Sequence, residues 1–162
     1  MPKRSAGILL WRRERGMLYV LLVHPGGPFW RKRDMGSWSI PKGECLEGEA
    51  PLAVARRELA EELGPAAAAI LSDQADDTFV PLGEIKQRGG KIVTAFALAA
   101  DFDVAQLSSN HFEIEWPPNS GRRQSFPEVD QAEWFSLPRA ADQILPSQLD
   151  FLQRLQARLG ER

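Results

Sequence analysis

Glu58, Glu61 and Glu62 stand three and four residues apart, a spacing that places their side chains on one face of an α-helix. Carboxylates so placed repel one another, and the group costs stability unless cations hold it together. Hard divalent cations prefer carboxylate oxygen, so Mg2+ or Mn2+ is the expected cofactor. Glu58 and Glu62, one helical turn apart, are the leading expected metal ligands. Glu61 either ligates a second ion or orients water, and Glu49 acts near the group from the preceding loop. Carboxylates beside a glycine-containing loop suit phosphorus chemistry, because a bound metal neutralises pyrophosphate, acidifies a water and holds it in line. Hydrolysis of a phosphoric anhydride then needs no nucleophile from the chain. With only His24 and His111 available, a Ser-His-Asp set is not expected, and the lone Cys45 reads as incidental. The competing reading is a surface helix with an acidic face.

The stretch Gly43 to Pro65, GECLEGEAPLAVARRELAEELGP, carries a resemblance. Gly43, Glu49, Arg57, Glu58, Leu59, Glu61, Glu62 and Gly64 match at every spacing the signature of the Nudix hydrolase family, with Pro65 departing where that family usually has an aliphatic residue. The resemblance implies an α/β fold, the Nudix-type α/β/α sandwich around a mixed β-sheet. It also implies hydrolysis of a nucleoside diphosphate linked to another group, a main-chain role for Gly43 at the metal, and one more acidic residue from outside the signature. Glu115 is the first candidate for that acid and Glu113 the second, the competing view being that both are exposed partners of Arg122 or Arg123. More narrowly, VHPGGPFW followed by WSIPKGE is similar to a branch of predicted nucleoside-triphosphate pyrophosphohydrolases. It is also similar to dinucleoside-tetraphosphate hydrolases, which makes diadenosine tetraphosphate a first expected substrate. A 5'-end RNA pyrophosphohydrolase and a non-catalytic nucleotide-binding module are the alternatives.

Several elements must position these residues. Leu52, Ala55, Leu59 and Leu63 recur at helical spacing and give a face that packs on a sheet, with the glutamates turned away. Pro51 suits the first helical position, Gly64 the stop, and Ala50 is a poor N-cap. Arg57 lies four before Glu61 and is expected to brace it. Ala6 to Trp11 and Met17 to His24 read as strands joined by a turn at Arg12 to Gly16, and the first strand is also open to a parallel partner. His24 is structural or, alternatively, touches substrate. The loop after it places Phe29 and Trp30 beside Arg31, Lys32 and Arg33, so that rings stack on a base while cations meet phosphate. The other reading has Trp30 plugging the core edge. Lys42 pairs with substrate phosphate or with Glu44.

Beyond Gly64, residues 66–70 read as a strand edge or a short helical turn. Segments 79–86 and 91–99 form a hairpin about the turn 87–90. Residues 111–116 alternate, with Glu113 and Glu115 on one face. Arg122 and Arg123 lie in a flexible segment and are candidates for clamping phosphate. Trp134 and Phe135 mark a last buried strand. Ser136 is expected to cap a helix through Ile144, and Ser147 with Asp150 a final helix carrying Leu149, Leu152, Leu155 and Leu159.

With 162 residues, 43% of them hydrophobic, the chain is expected to form a single domain over 1–162. A formal charge of -2 gives no reason to expect broad nucleic-acid binding; the expected partner is a small nucleotide. No apolar run approaches the roughly 20 residues needed to span a bilayer. The single cysteine and the early interruption of the N-terminal apolar run by Trp11, Arg12 and Arg13 point to a cytoplasmic, unprocessed protein.

Overall fold

β1 (Arg4–Glu14) is buried over most of its length, and its apolar residues divide by strand parity between two cores. Ala6, Ile8 and Leu10 join Val54, Ala55, Leu59 and Leu63 of α1 (Pro51–Leu63) on one face. Leu9 points to the other face, where Phe151, Leu152 and Leu155 of α4 (Leu149–Leu159) pack. A sheet buried on both sides between helices is a three-layer α/β/α arrangement. The computed structural model describes residues 2–160, so residues 1, 161 and 162 of the expected 1–162 unit lie outside the described residues.

Among the described residues, six strands form the sheet, in the order β4 (Val80–Lys86), β5 (Ile92–Ala99), β1, β2 (Met17–Pro25), β8 (Val129–Ser136). The short β3 (Lys42–Glu44) also pairs with β1. β1 and β2 form the expected hairpin, but the turn tightens to Arg15 and Gly16, whose φ values of 52° and 77° suit a two-residue connection. β1 also runs parallel to β5, so both readings of the first strand hold, and the sheet is mixed. The β4–β5 hairpin forms as expected, with a register shift between Pro81 and Gly83.

Some elements differ from expectation. Residues 65–72 form a second helix, α2 (Pro65–Ser72), in which Pro65 occupies the first turn and Gly64, at φ 98°, is the joint. The unusual proline thus restarts a helix in a new direction. The supposedly flexible arginine segment contains β7 (Arg123–Pro127), paired with β6 (His111–Glu115) in a separate two-stranded sheet. Ser136 precedes α3 (Leu137–Gln143), but its hydroxyl makes no cap bond. Ser147 lies in a 3-10 turn and its hydroxyl accepts from Gln87. The expected capping box is absent: α4 begins at Leu149, and Asp150 bonds Arg154 at 2.9 Å. Trp134 is only half-buried, its indole N–H donating to the Phe102 carbonyl.

Gln148, with 0% exposure, accepts from the Ile40 N–H and donates to the Ser39 hydroxyl, both at 3.0 Å. It thereby ties the C-terminal layer to the segment that leads into β3. Gln148→Ala strands a buried main-chain donor, and the expected loss is about 1–3 kcal/mol of unfolding free energy. Urea denaturation followed by circular dichroism checks this.

Candidate metal and phosphate site

Three carboxylates converge where α1 meets the end of β7. Glu58, Glu62 and Glu128 each offer an oxygen within 4.8 Å of the others. Glu62 is not turned away from the sheet as the sequence suggested; it is 8% exposed, and one of its oxygens is buried without a hydrogen-bond partner. The main-chain N–H of Lys42 donates to Glu62. Glu58 reaches the group because Gly43 has no side chain: a Cβ there would lie 1.9 Å from the Glu58 Cδ. Any other residue at position 43 would push the carboxylate out.

Glu128 is the acid that sequence reasoning missed. It is held by its own backbone, its N–H donating to the Asn110 carbonyl at 2.9 Å and its carbonyl accepting from Gly26 at 2.8 Å. Asn110 in turn donates its N–H to the Glu61 carbonyl at 3.0 Å, so a chain of main-chain bonds links the helix to Glu128. Glu113 and Glu115 do not join the cluster, because they lie out along the β6–β7 hairpin, opposite Ser125 and Arg123. Glu128 stands five positions beyond Arg123, roughly 16 Å of extended chain. Glu115 instead accepts from the Asn119 N–H at 2.9 Å. Arg122 and Arg123 are exposed at the same remote end. No alternation pattern marks Glu128 in the sequence; only the turn-rich join between two strands hints that it is fixed in place.

The basic groups arrange themselves in two shells. Arg57 hydrogen-bonds Glu49, while Glu58 and Glu61 stand at 3.8 and 3.9 Å, so its main partner is Glu49 and not Glu61 as expected. Glu49 also accepts from the Leu46 N–H at 2.8 Å, which closes the loop before α1. Glu61 is exposed and sits beside the cluster, where its charge raises the pKa of both Glu58 and Glu128. Lys42 has Lys91, Glu62 and Glu58 as its charged neighbours, and not Glu44. Burial lowers its pKa, with Lys91 adding to the effect and the two glutamates opposing it.

His24 is buried and structural, with Nδ1 2.7 Å from Asp130 and Nε2 2.6 Å from the Arg33 carbonyl, and it anchors the loop that follows β2. In that loop Trp30 is half-buried and covered by the Arg33 guanidinium at 5.5 Å. Lys32 is exposed, and with Arg31, Arg33, Asp34 and Asp130 it lines a polar cavity of about 450 Å³.

The cluster fits a cation. Three carboxylate oxygens converge, one is orphaned in a buried position, and no side chain among those described donates to it. In this arrangement burial pushes the Glu62 carboxyl well above the usual carboxylate range, with Glu58 and Glu128 adding to it. Glu58 and Glu128 are also raised, first by burial and then by Glu61.

The family model described as the NUDIX domain matches residues 1–155. The chain belongs to the Nudix family. It is a Nudix hydrolase, a pyrophosphohydrolase of a family that acts on a nucleoside diphosphate linked to another moiety and generally needs divalent cations. No curated protein matches the chain. Among solved structures, this Nudix fold is similar to the C. elegans Ap4A hydrolase in a binary complex, at 21% identity and TM-score 0.61, covering 98% of each chain. It is also similar to a mutT/nudix family protein from Listeria innocua, at 17% identity and TM-score 0.62, covering 99% of this chain and 96% of that one. The NUDIX domain of Shewanella oneidensis NrtR complexed with ADP ribose is similar at 17% identity and TM-score 0.60, covering 98% and 89%. No helix among the described residues of this Nudix chain is long and apolar enough to cross a membrane.

The raised carboxyl groups make the cation-free Nudix domain sensitive to pH. A carboxyl whose folded pKa exceeds its ordinary 4.5 gives stability that is fully present below that value. This contribution is lost as pH rises through the folded value, because ionisation then opposes folding. In a chelating buffer Tm is therefore expected to fall between pH 5 and pH 8, and Glu62→Gln, which cannot ionise, is expected to flatten the fall. Thermal melts of both proteins across that range check it.

Proposed function

We propose that this protein, acting as one Nudix domain, hydrolyses a phosphoric anhydride in a dinucleoside polyphosphate or a nucleoside triphosphate, with Mg2+ or Mn2+ as cofactor. The observation that carries the reading is the convergence of Glu58, Glu62 and Glu128 around an unpartnered buried oxygen. Glu58, Glu62 and Glu128 would hold the cation, with the main chain at Gly43 beside them. When bound, it supplies charge neutralisation for the pyrophosphate and acidifies a water. Glu61, exposed next to Glu58 and Glu128, would take a proton from an attacking water. Arg57 orients Glu49, Glu58 and Glu61 together. Lys42 stands beside the two helix glutamates and would meet substrate phosphate, and Arg31, Lys32 and Arg33, which line a polar cavity, would offer further phosphate contacts. The fold likeness to the C. elegans Ap4A hydrolase supports diadenosine tetraphosphate as the first substrate to try.

A panel of nucleotides with Mg2+ and with Mn2+ in oxygen-18 water tests this, since the labelled product identifies the phosphorus attacked. Absence of hydrolysis across the panel, with nucleotide binding retained, would favour a binding module instead. Within the panel, Glu62→Gln and Glu128→Gln are each expected to lower kcat by at least about 100-fold, with circular dichroism unchanged. Glu115→Gln is expected to leave kcat as it was. Loss of activity in Glu115→Gln alone would return the outside acid to the hairpin.

A further inference from the structure

Glu128 stands between two peptide planes, and the bonds on those planes set where its carboxylate points. Peptide units are rigid, so a side chain is aimed by the two soft dihedrals between its flanking planes. On the N-terminal side the Glu128 N–H donates to the Asn110 carbonyl at 2.9 Å. On the C-terminal side the plane is held at both ends. Its carbonyl, that of Glu128, accepts from the Gly26 N–H at 2.8 Å, and its N–H, that of Val129, donates to the Ser109 hydroxyl oxygen at 3.0 Å. The Ser109 hydroxyl in turn donates to the Asn110 carbonyl at 2.9 Å, so it is used in both senses. Ser109 is the one side chain in this set; every other partner is main chain.

Its neighbours fix Ser109 against α1. The N–H groups of Ser108 and Asn110 donate to the carbonyls of Leu63 and Glu61, both at 3.0 Å, in the last turn of the helix, where carbonyls lack intrahelical partners. Gly64 lets the segment come this close, since a Cβ there would lie 2.6 Å from the Ser108 carbonyl oxygen. The tripeptide 108–110 therefore takes its position from the helix that carries Glu58 and Glu62 and passes it on to Glu128.

Resting on the reading of Glu128 as a cation ligand, we infer that Ser109 is a positioning residue for the metal site: its hydroxyl locks the peptide plane that follows Glu128 and so holds that carboxylate against Glu58 and Glu62. The need for a lock is electrostatic. Glu58 and Glu128 each raise the pKa of Glu62, so without a cation the three groups push apart, and a Glu128 free to turn about ψ swings outward. With the hydroxyl removed, the plane is held at one end, and the N–H of Val129, a residue 3% exposed, loses its acceptor.

The test reads cation binding directly, by electron paramagnetic resonance titration of Mn2+ without nucleotide. Ser109→Ala is expected to weaken Mn2+ binding by about 10- to 100-fold, the range for losing a partner that orients a metal ligand. Ser109→Thr, which keeps the hydroxyl, is expected to bind Mn2+ as the parent does. Ser109→Cys, a weaker acceptor of similar shape, is expected to fall between them, and it carries the test if Ser109→Ala does not fold. A lower Tm with unchanged Mn2+ affinity in these variants marks a merely structural bond and overturns the inference while leaving the hydrolase reading standing. A parent protein that binds no Mn2+, or Glu128→Gln that binds it as the parent does, overturns the reading of Glu128 and this inference with it.

Discussion

The most demanding feature of this molecule is the crowding of three carboxylates into a partly desolvated corner. At separations under 4.8 Å each ionised pair repels by about 3–4 kcal/mol, even with the effective dielectric of a protein near its surface. Arg57 lowers the pKa of Glu58 and Lys42 that of Glu62, yet both carboxyls stay raised, so covalent connectivity and main-chain hydrogen bonds hold the group together. Buried on its inner stripe by the sheet, α1 cannot rotate to release Glu62. Gly43 gives up its side chain so that Glu58 has somewhere to lie, and the bonds from Glu61 through Asn110 bring Glu128 in from a distant part of the chain.

The cations nearby are sorted by chemistry. Arg57, permanently charged and well able to share a planar group among several oxygens, sits at the exposed edge and serves Glu49, Glu58 and Glu61. Lys42 lies deeper, where burial and Lys91 lower its pKa and Glu62 and Glu58 oppose them. Neither replaces a cation at the orphaned oxygen of Glu62, because the arginine bonds Glu49 and the main-chain N–H of Lys42 leaves that oxygen without a partner.

Local patterns carried much of this into the sequence. Helical spacing, a proline start and a glycine stop located α1 to the residue, apolar runs located β1 and β2, and the turn at 87–90 located the β4–β5 hairpin. Glu58, Glu61 and Glu62 were visible for the same reason, since their neighbours in space are neighbours in the chain. Glu128 was not, because its place depends on bonds to Gly26 and Asn110, both remote in sequence. The alternation of residues 111–116 was real and identified β6, but parity alone says which face a glutamate takes and not how far along the strand the site lies. The cap at Ser147 failed similarly: a 3-10 turn displaced the helix start by one residue, and the hydroxyl bonded Gln87 instead. Gln148 left no trace at all, its partners lying more than a hundred positions away.

The way Glu128 is anchored has an evolutionary corollary. Both ends of the excursion from residue 111 to residue 127 are fastened by amide and carbonyl groups, which every amino acid except proline supplies in full. The ribbon between those fasteners can therefore be lengthened, shortened or exchanged without shifting the acid at its base.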